Sequence, residues 1–381
     1  MRAVIAPPAS WRPEHALLCQ LTRSGVAEST CAALPLLAPS IDWSCLLDTA
    51  DAHGVSELLL APLTAVRNDI PSAVLDRVTT RVASVTASNL ARTKQTTEVL
   101  AILHAHGIQA LTYKGPTLAA SMYGHLGLRS CADIDILVHQ RDAARVRPLL
   151  LAEGYTLPAR QRHRGGSLLY GLFPAAGRDD TLLPSQPHLA AVDVHVAFTL
   201  WTQGIRLDIG ELFRRAVTIE IAGSTIPTLC ADHLLLVLSI HGMMHGWSVL
   251  RHIRDIDAVA GRIENWDVLV DGARSAGMLR VLFVALLIAH MVLETKLPPR
   301  VLKLAQRDAR DVALANGVPP RLFDPSIVAL DWDPRPWFMG FLQGSRDRIR
   351  FHARDLTYEW FLKWPWDEWL RRRASRSEDR A

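Results

Sequence analysis

The chain has 381 residues, 49% of them hydrophobic and 21% charged, with a formal net charge of +4. That length can bury a large core in two or three modules, and the composition is that of a globular chain rather than a disordered one. A charge this mild does not argue for a dedicated nucleic-acid binder, which carries a dense basic face. The five cysteines, Cys19, Cys31, Cys45, Cys131 and Cys230, are scattered without a CxxC pair, so neither a disulfide framework nor a zinc knuckle is suggested. The expected setting is a reducing cytoplasm. The opening MRAVIAPPASWRPEHALL has no sustained apolar run, so no signal peptide is expected.

Residues 14–106 read as helical. Trp43, Leu46, Leu47 and Ala50 recur at helical spacing before a break at His53-Gly54-Val55, where His53 is expected to close a helix. Val74, Val78, Val82 and Val85 form a second apolar stripe, and Pro35, Pro39, Pro62 and Pro71 punctuate the segments. A long run over 84–106 stops at Gly107. Residues 108–113 and 133–138 are expected strands with a short helix over 118–123 between them, and 141–153 is an amphipathic helix closed by Gly154. Residues 155–187 read as a β-hairpin with a loose connection, and its basic cluster, Arg160, Arg162, His163 and Arg164, is either a solvated face or an anion contact. In residues 189–198, Val192, Val194 and Val196 alternate with Asp193 and His195, which puts the acid and the imidazole on one strand face.

A short helix and a hairpin turning at Gly223-Ser224 follow, and from Cys230 the chain is mostly helical. The apolar run 234–244 carries His241 and leads to His245 at i+4 and then Trp247; Arg251, Arg254, Asp255 and Asp257 decorate the next helix. His241 and His245 are either a metal pair, a substrate contact or hydrogen-bonded core residues; HxxxH without an internal Glu is weak evidence for zinc. Residues 278–293 are apolar but contain Arg280 and His290 and fall short of a membrane span, so no transmembrane segment is expected. Residues 319–336 form a Pro- and Asp-rich linker. The aromatic tail 337–369 either packs on its own domain or docks on a partner protein or a membrane surface.

The densest chemistry lies in residues 111–138, LTYKGPTLAASMYGHLGLRSCADIDILV. On a strand, Asp133 and Asp135 share one face, about 7 Å apart, while Ile134 and Ile136 pack on the other. Two carboxylates there make a poor core and a good site for Mg²⁺ (or Mn²⁺), which takes oxygen ligands from protein carboxylates and substrate phosphates. Lys114-Gly115-Pro116-Thr117 is a Gly-containing turn at a helix start, offering free N–H groups, a positive dipole end and a mobile cation to a phosphate.

The order strand, Gly-turn, short helix, Arg129 and DxD strand resembles the DNA polymerase β-like nucleotidyltransferase superfamily. KG…LAASMYG…LRSCADIDILV, with the later DVHV string at 193–196, resembles more closely the bacterial uncharacterised nucleotidyltransferase family. Where the superfamily carries Gly-Ser after its first strand, Lys114-Gly115 stands here, and Thr117 is the nearest hydroxyl. The resemblance implies an α+β fold, with a small mixed β-sheet nucleotidyltransferase core flanked by N- and C-terminal helical regions. The expected division is a helical region over 1–106, the α/β core over 107–229, a helical domain over 230–318 and a Pro/Trp-rich extension over 319–381.

It implies further that NMP passes from an NTP to a hydroxyl or phosphate acceptor, with Mg²⁺ held by Asp133, Asp135 and the third acid Asp193. Lys114, Gly115 and Thr117 would steady the phosphates, and Arg129 would balance the acids or touch the triphosphate. His195, His241, His245 and Arg254 are further expected contacts to substrate or phosphate. The acceptor, a small molecule, peptide or RNA, is not named by these residues. Two alternatives stand beside this reading: a catalytically reduced scaffold or partner protein in a peptide natural-product pathway, and a toxin-like nucleotidyltransferase acting on tRNA, whose RxSxDiD pattern has Cys131 at its Ser position here.

Overall fold

A computed structural model of the chain describes residues 8–25, 28–158, 179–198, 205–324 and 340–341. The basic cluster at 160–164 and nearly all of the aromatic tail lie outside these residues.

Helices α1 (Pro13–Thr22), α2 (Glu28–Leu37), α3 (Trp43–Ala52) and α4 (Leu60–Ala65) lead into the long α5 (Ser72–Ala105). α5 starts well before the expected position 84, because no Gly or Pro interrupts it after Pro71 and the Val74, Val78, Val82, Val85 stripe stays buried along one side. Gly107, at φ +68°, ends it. The sheet strands are β1 (Ala110–Thr112), β2 (Asp133–Val138), β3 (Tyr155–Thr156), β4 (Asp179–Pro184), β5 (Ala191–His195), β6 (Val217–Ile221) and β7 (Ser224–Thr228). They line up as β3-β4-β5-β2-β1-β7-β6. β2 runs parallel to β5 and β1 parallel to β7, while β1–β2, β3–β4, β4–β5 and β6–β7 are antiparallel. Between strands lie α6 (Gly115–Tyr123), α7 (Ala143–Ala152) and α8 (Ile209–Arg214). The chain continues through α9 (Ala231–Met244), α10 (Leu250–Ala260), α11 (Trp266–Ser275), α12 (Leu279–Leu293), α13 (Pro299–Ala305) and α14 (Ala309–Asn316). The fold is α+β, a mixed sheet with helices on both flanks. No described helix is long and apolar enough to cross a membrane.

Strand alternation divides the interior in two. Ile134, Ile136, Val138, Val192 and Val194 face one side of the sheet and pack with Val99 and Leu103 of α5 and Val146 and Leu150 of α7. On the other side Leu111, Tyr113 and Leu137 join a larger cluster that unites α1, α3 and α4 with α9, α10 and α12. The helices from the two ends of the chain therefore share one core. That shared core sets them against the sheet face that carries the acids.

Polar hooks from α5 fix the strand ends. The Gln95 amide donates to Ala190 O at 2.8 Å and accepts from Ala190 N at 2.9 Å, pinning the start of β5. The fully buried Asn89 donates to Leu126 O and Arg129 O at 2.6 and 2.8 Å, and accepts from the Cys131 thiol at 3.0 Å. It thereby holds the loop that enters β2. Buried polar groups cost free energy unless paired, so both amides are specific anchors.

Candidate functional site

β2 and β5 lie side by side in parallel register, with Asp135 opposite Asp193. Side chains opposite one another in a ladder share a face, so the two carboxylates are neighbours. One oxygen of each, Asp135 Oδ2 and Asp193 Oδ1, is buried without a hydrogen-bond partner among the described residues. Ligand atoms of Asp135, Asp193 and His195 all lie within 4.8 Å of one another. Asp133 is two residues upstream, half-buried on the wall of the same cavity, and outside that close trio.

Asp135 Oδ1 is the most contested acceptor in the site. Lys114 Nζ lies 3.2 Å away, the Tyr113 hydroxyl donates at 3.2 Å, and His195 Nε2 sits at 3.1 Å. A carboxylate only accepts, so His195 carries its proton on Nε2. Burial pushes the Asp135 carboxyl up, but the Lys114 charge and the His195 contact outweigh it and hold it well below the usual carboxylate range. Asp193 is the opposite case. Burial raises its pKa, a hydrogen bond from Thr181 opposes this, and the charge of Asp133 adds to the rise.

The turn before α6 behaves as its sequence requires. Gly115 has φ +59°, a left-handed backbone that favours glycine. Its position leads β1 into the first turn of α6 beside Cys131 and Asp133. Thr117 is buried, its hydroxyl donates to Lys114 O at 2.6 Å, and it does not line the cavity. Thr117 therefore braces the turn.

Arg129 and Arg254 have local partners. Arg129 makes a bidentate pair with Asp255 of α10, both bonds 2.8 Å, and the Tyr123 hydroxyl donates to the same carboxylate at 2.6 Å. Arg254 donates to Thr22 O at 2.6 Å, lies 3.3 Å from Asp257 and stacks over Tyr123, away from the cavity. Both arginines tie α10 to its surroundings.

A cavity of about 590 Å³ separates the acidic face from α9 and α10. Its far wall carries His241, His245 and His252, whose ring centres are 4.5 to 5.3 Å apart. Burial first, then the charge of Lys114, lowers the pKa of His241 and of His245. Burial and the neighbouring His245 and Arg251 lower that of His252. The rings are therefore neutral at pH 7.

A sequence reading misses Arg251, His252, Tyr113 and Phe198, all of which line the cavity. Arg251 and His252 occupy the first turn of α10, directly after the turn at Trp247. The faint signal for them is their place, four and five residues beyond Trp247, where the chain turns back toward His241. That turn depends on Gly242: a Cβ there would stand 2.2 Å from the buried Trp247 ring, and Trp247 itself has φ +56°.

A family model described as an uncharacterised nucleotidyltransferase matches residues 39–294, well over half of the chain. No curated protein matches, and no solved structure does.

Proposed function

The chain belongs to the uncharacterised nucleotidyltransferase family, and on that premise we propose that it transfers a nucleoside monophosphate from an NTP to a hydroxyl or phosphate acceptor in the cavity above β2 and β5. The observation that carries this is the pair of adjacent carboxylates in register, each with a buried oxygen lacking a partner. Burying such oxygens is costly unless something compensates them, and oxygen pairs of this kind suit Mg²⁺ or Mn²⁺. Asp135 and Asp193 would hold the ion with Asp133 beside them, and His195 is a ligand that Mn²⁺ accepts more readily than Mg²⁺. When bound, such an ion neutralises phosphate charge and makes an attacking hydroxyl more acidic.

The protein's own groups have defined work in this reading. Lys114 and the N-terminal N–H groups of α6 receive the phosphates, and Gly115 lets the backbone approach them. Tyr113 and His195 donate to Asp135 Oδ1 and leave its other, buried oxygen to the ion. Phe198, half-buried on the cavity wall and edge-on to the buried Tyr113 with ring centres 5.0 Å apart, offers an aromatic surface to a base. Arg129 positions α10 through Asp255. The order of these parts supports a place in the DNA polymerase β-like superfamily, and the described cysteines, all unbridged, suit a cytoplasmic setting.

One observation favours a second reading. Lys114 and His195 already neutralise Asp135, as they would in a catalytically reduced scaffold. Thermal shift and pyrophosphate release separate the two. Mg²⁺ or Mn²⁺ with one of the four NTPs should raise the melting temperature of the wild type and not of Asp193→Asn, and an acceptor screen with that NTP should release pyrophosphate. Well-folded protein that shows no metal-dependent NTP shift would sink the transferase reading.

A further inference from the structure

The helical wall opposite the acids holds a cation that the catalytic arrangement above does not use. Arg251 lines the cavity, and among the described residues its guanidinium has neither an ion pair nor a hydrogen bond. The acid one turn along its helix, Asp255, would be its ordinary i,i+4 partner. That carboxylate accepts its three hydrogen bonds from Arg129 and Tyr123, and Arg251 acts on it through charge alone. The Arg251 side chain passes close to Gly54. A Cβ at Gly54 would lie 3.2 Å from Nη1 and 3.3 Å from Cδ, and Gly54 sits at φ +64°, which favours glycine.

The surroundings suit an anion. The first turn of α10 has no acidic residue. Its Leu250 N–H is capped at 3.1 Å by Nδ1 of a neutral imidazole, His53, where a carboxylate would be the commoner choice. His252 is more than nine-tenths buried and its Nδ1 has no hydrogen-bond partner among the described residues. His245 is in ring contact with it, and both feel the charge of Arg251. Neutral imidazoles each bring an N–H donor without adding a charge that would repel the guanidinium. The three histidines do not form a convergent ligand set; among the described residues the only such set is Asp135, Asp193 and His195.

We infer that Arg251, His245 and His252 form a phosphoryl-binding site on the helical wall, facing the acidic face across the cavity. The guanidinium fork matches two phosphate oxygens, and the imidazoles donate to a third. The phosphoryl group comes either from the far end of the NTP or from a phosphorylated acceptor. That assignment rests on nucleotidyl transfer, whereas the anion site itself does not.

The test is calorimetric titration of the full chain, without metal, with tripolyphosphate and with inorganic phosphate. Arg251→Ala should weaken binding of at least one of these probes by about tenfold or more, and Arg251→Lys, which keeps the charge and loses the fork, by less. Neither probe carries a nucleoside and the titrations hold no metal, so a failed transferase reading leaves this result standing. Repeating the phosphate titration with a saturating NTP analogue that resists cleavage distinguishes the sources. Competition assigns the site to the NTP, and simultaneous binding assigns it to a phosphorylated acceptor. Folded Arg251→Ala protein, its melting temperature unchanged, that binds both probes with wild-type affinity would overturn the proposal. So would a wild type that binds neither.

Discussion

Asp135 and Asp193 stand opposite each other on adjacent parallel strands, and their surroundings hold them in contrasting states. Asp135 has Lys114, Tyr113 and His195 on one oxygen and stays ionised. Asp193 is half-buried beside like charges; burial and the charge of Asp133 outweigh the opposing Thr181 and His195, and its pKa rises. The contrast predicts opposite effects on metal-free stability. Asp135→Ala strands a largely buried Lys114 ammonium and should cost about 3–5 kcal/mol. Asp193→Asn removes a repelled charge and should leave stability unchanged or raised. Urea denaturation of both variants without metal checks this, and equal losses would mean that Lys114 and His195 do not bias the pair.

Arg129 and Asp255 join the loop before β2 to α10 by a bidentate buried pair. Removing either partner leaves an uncompensated charge, so Arg129→Ala and Asp255→Ala should each cost about 3–5 kcal/mol. The double variant should lose clearly less than their sum. Tyr123→Phe, which removes one hydrogen bond to the same ionised carboxylate, should cost about 1.5–3 kcal/mol. Strict additivity in denaturant melts would show that the pair is not coupled.

Much of this site is legible in the chain, and what is not has a physical reason. Period-two alternation in Asp133–Val138 and Ala191–His195 identifies both acidic strands and their faces, because one apolar face per strand has to be buried. The Lys114-Gly115-Pro116 turn is readable for the same local reason. The pairing partner of β2 and the register Asp135 against Asp193 are long-range facts that alternation within one strand does not contain. The arginines fail differently. Arg251 and Arg254 are three residues apart on one helix, and only packing decides that Arg254 turns to Thr22 and Asp257 while Arg251 turns to the cavity. Arg129 reads equally well as a phosphate contact until Asp255, far along the chain, is seen to claim it. The helical ends sharing one core is likewise invisible to local pattern.

Gly242 and Trp247 form a tight joint at the end of α9. A methyl at position 242 would stand 2.2 Å from Cζ3 and 2.4 Å from Cη2 of an indole with no exposed surface. Gly242→Ala should therefore destabilise by about 1–3 kcal/mol or more through overpacking, although alanine is the better helix former. It should also disturb His241 and His245, which flank the joint, and weaken NTP binding. Shortening the indole in Gly242→Ala/Trp247→Leu should recover part of the stability loss. A Gly242→Ala protein as stable as the wild type would refute this packing.

His53 couples the N-terminal helices to α10, accepting from Leu250 N at 3.1 Å while its own carbonyl accepts from Arg251 N at 3.2 Å. Burial first, then the nearby His15, lowers its pKa from 6.5 to about 4. Between those values the folded state binds fewer protons than the unfolded state, so stability rises with pH there. The contribution is complete above pH 6.5 and is lost as pH falls toward 4, by on the order of 3 kcal/mol. His241 and His252 shift in the same direction, so the wild type alone does not isolate His53. His53→Asn does, since an amide oxygen can take the place of Nδ1 and does not titrate. Denaturant stability of the variant should fall less steeply than that of the wild type between pH 6.5 and 4, with the curves converging in acid. Parallel curves would show that His53 titrates as it does in the unfolded chain and that the cap on α10 carries no pH dependence.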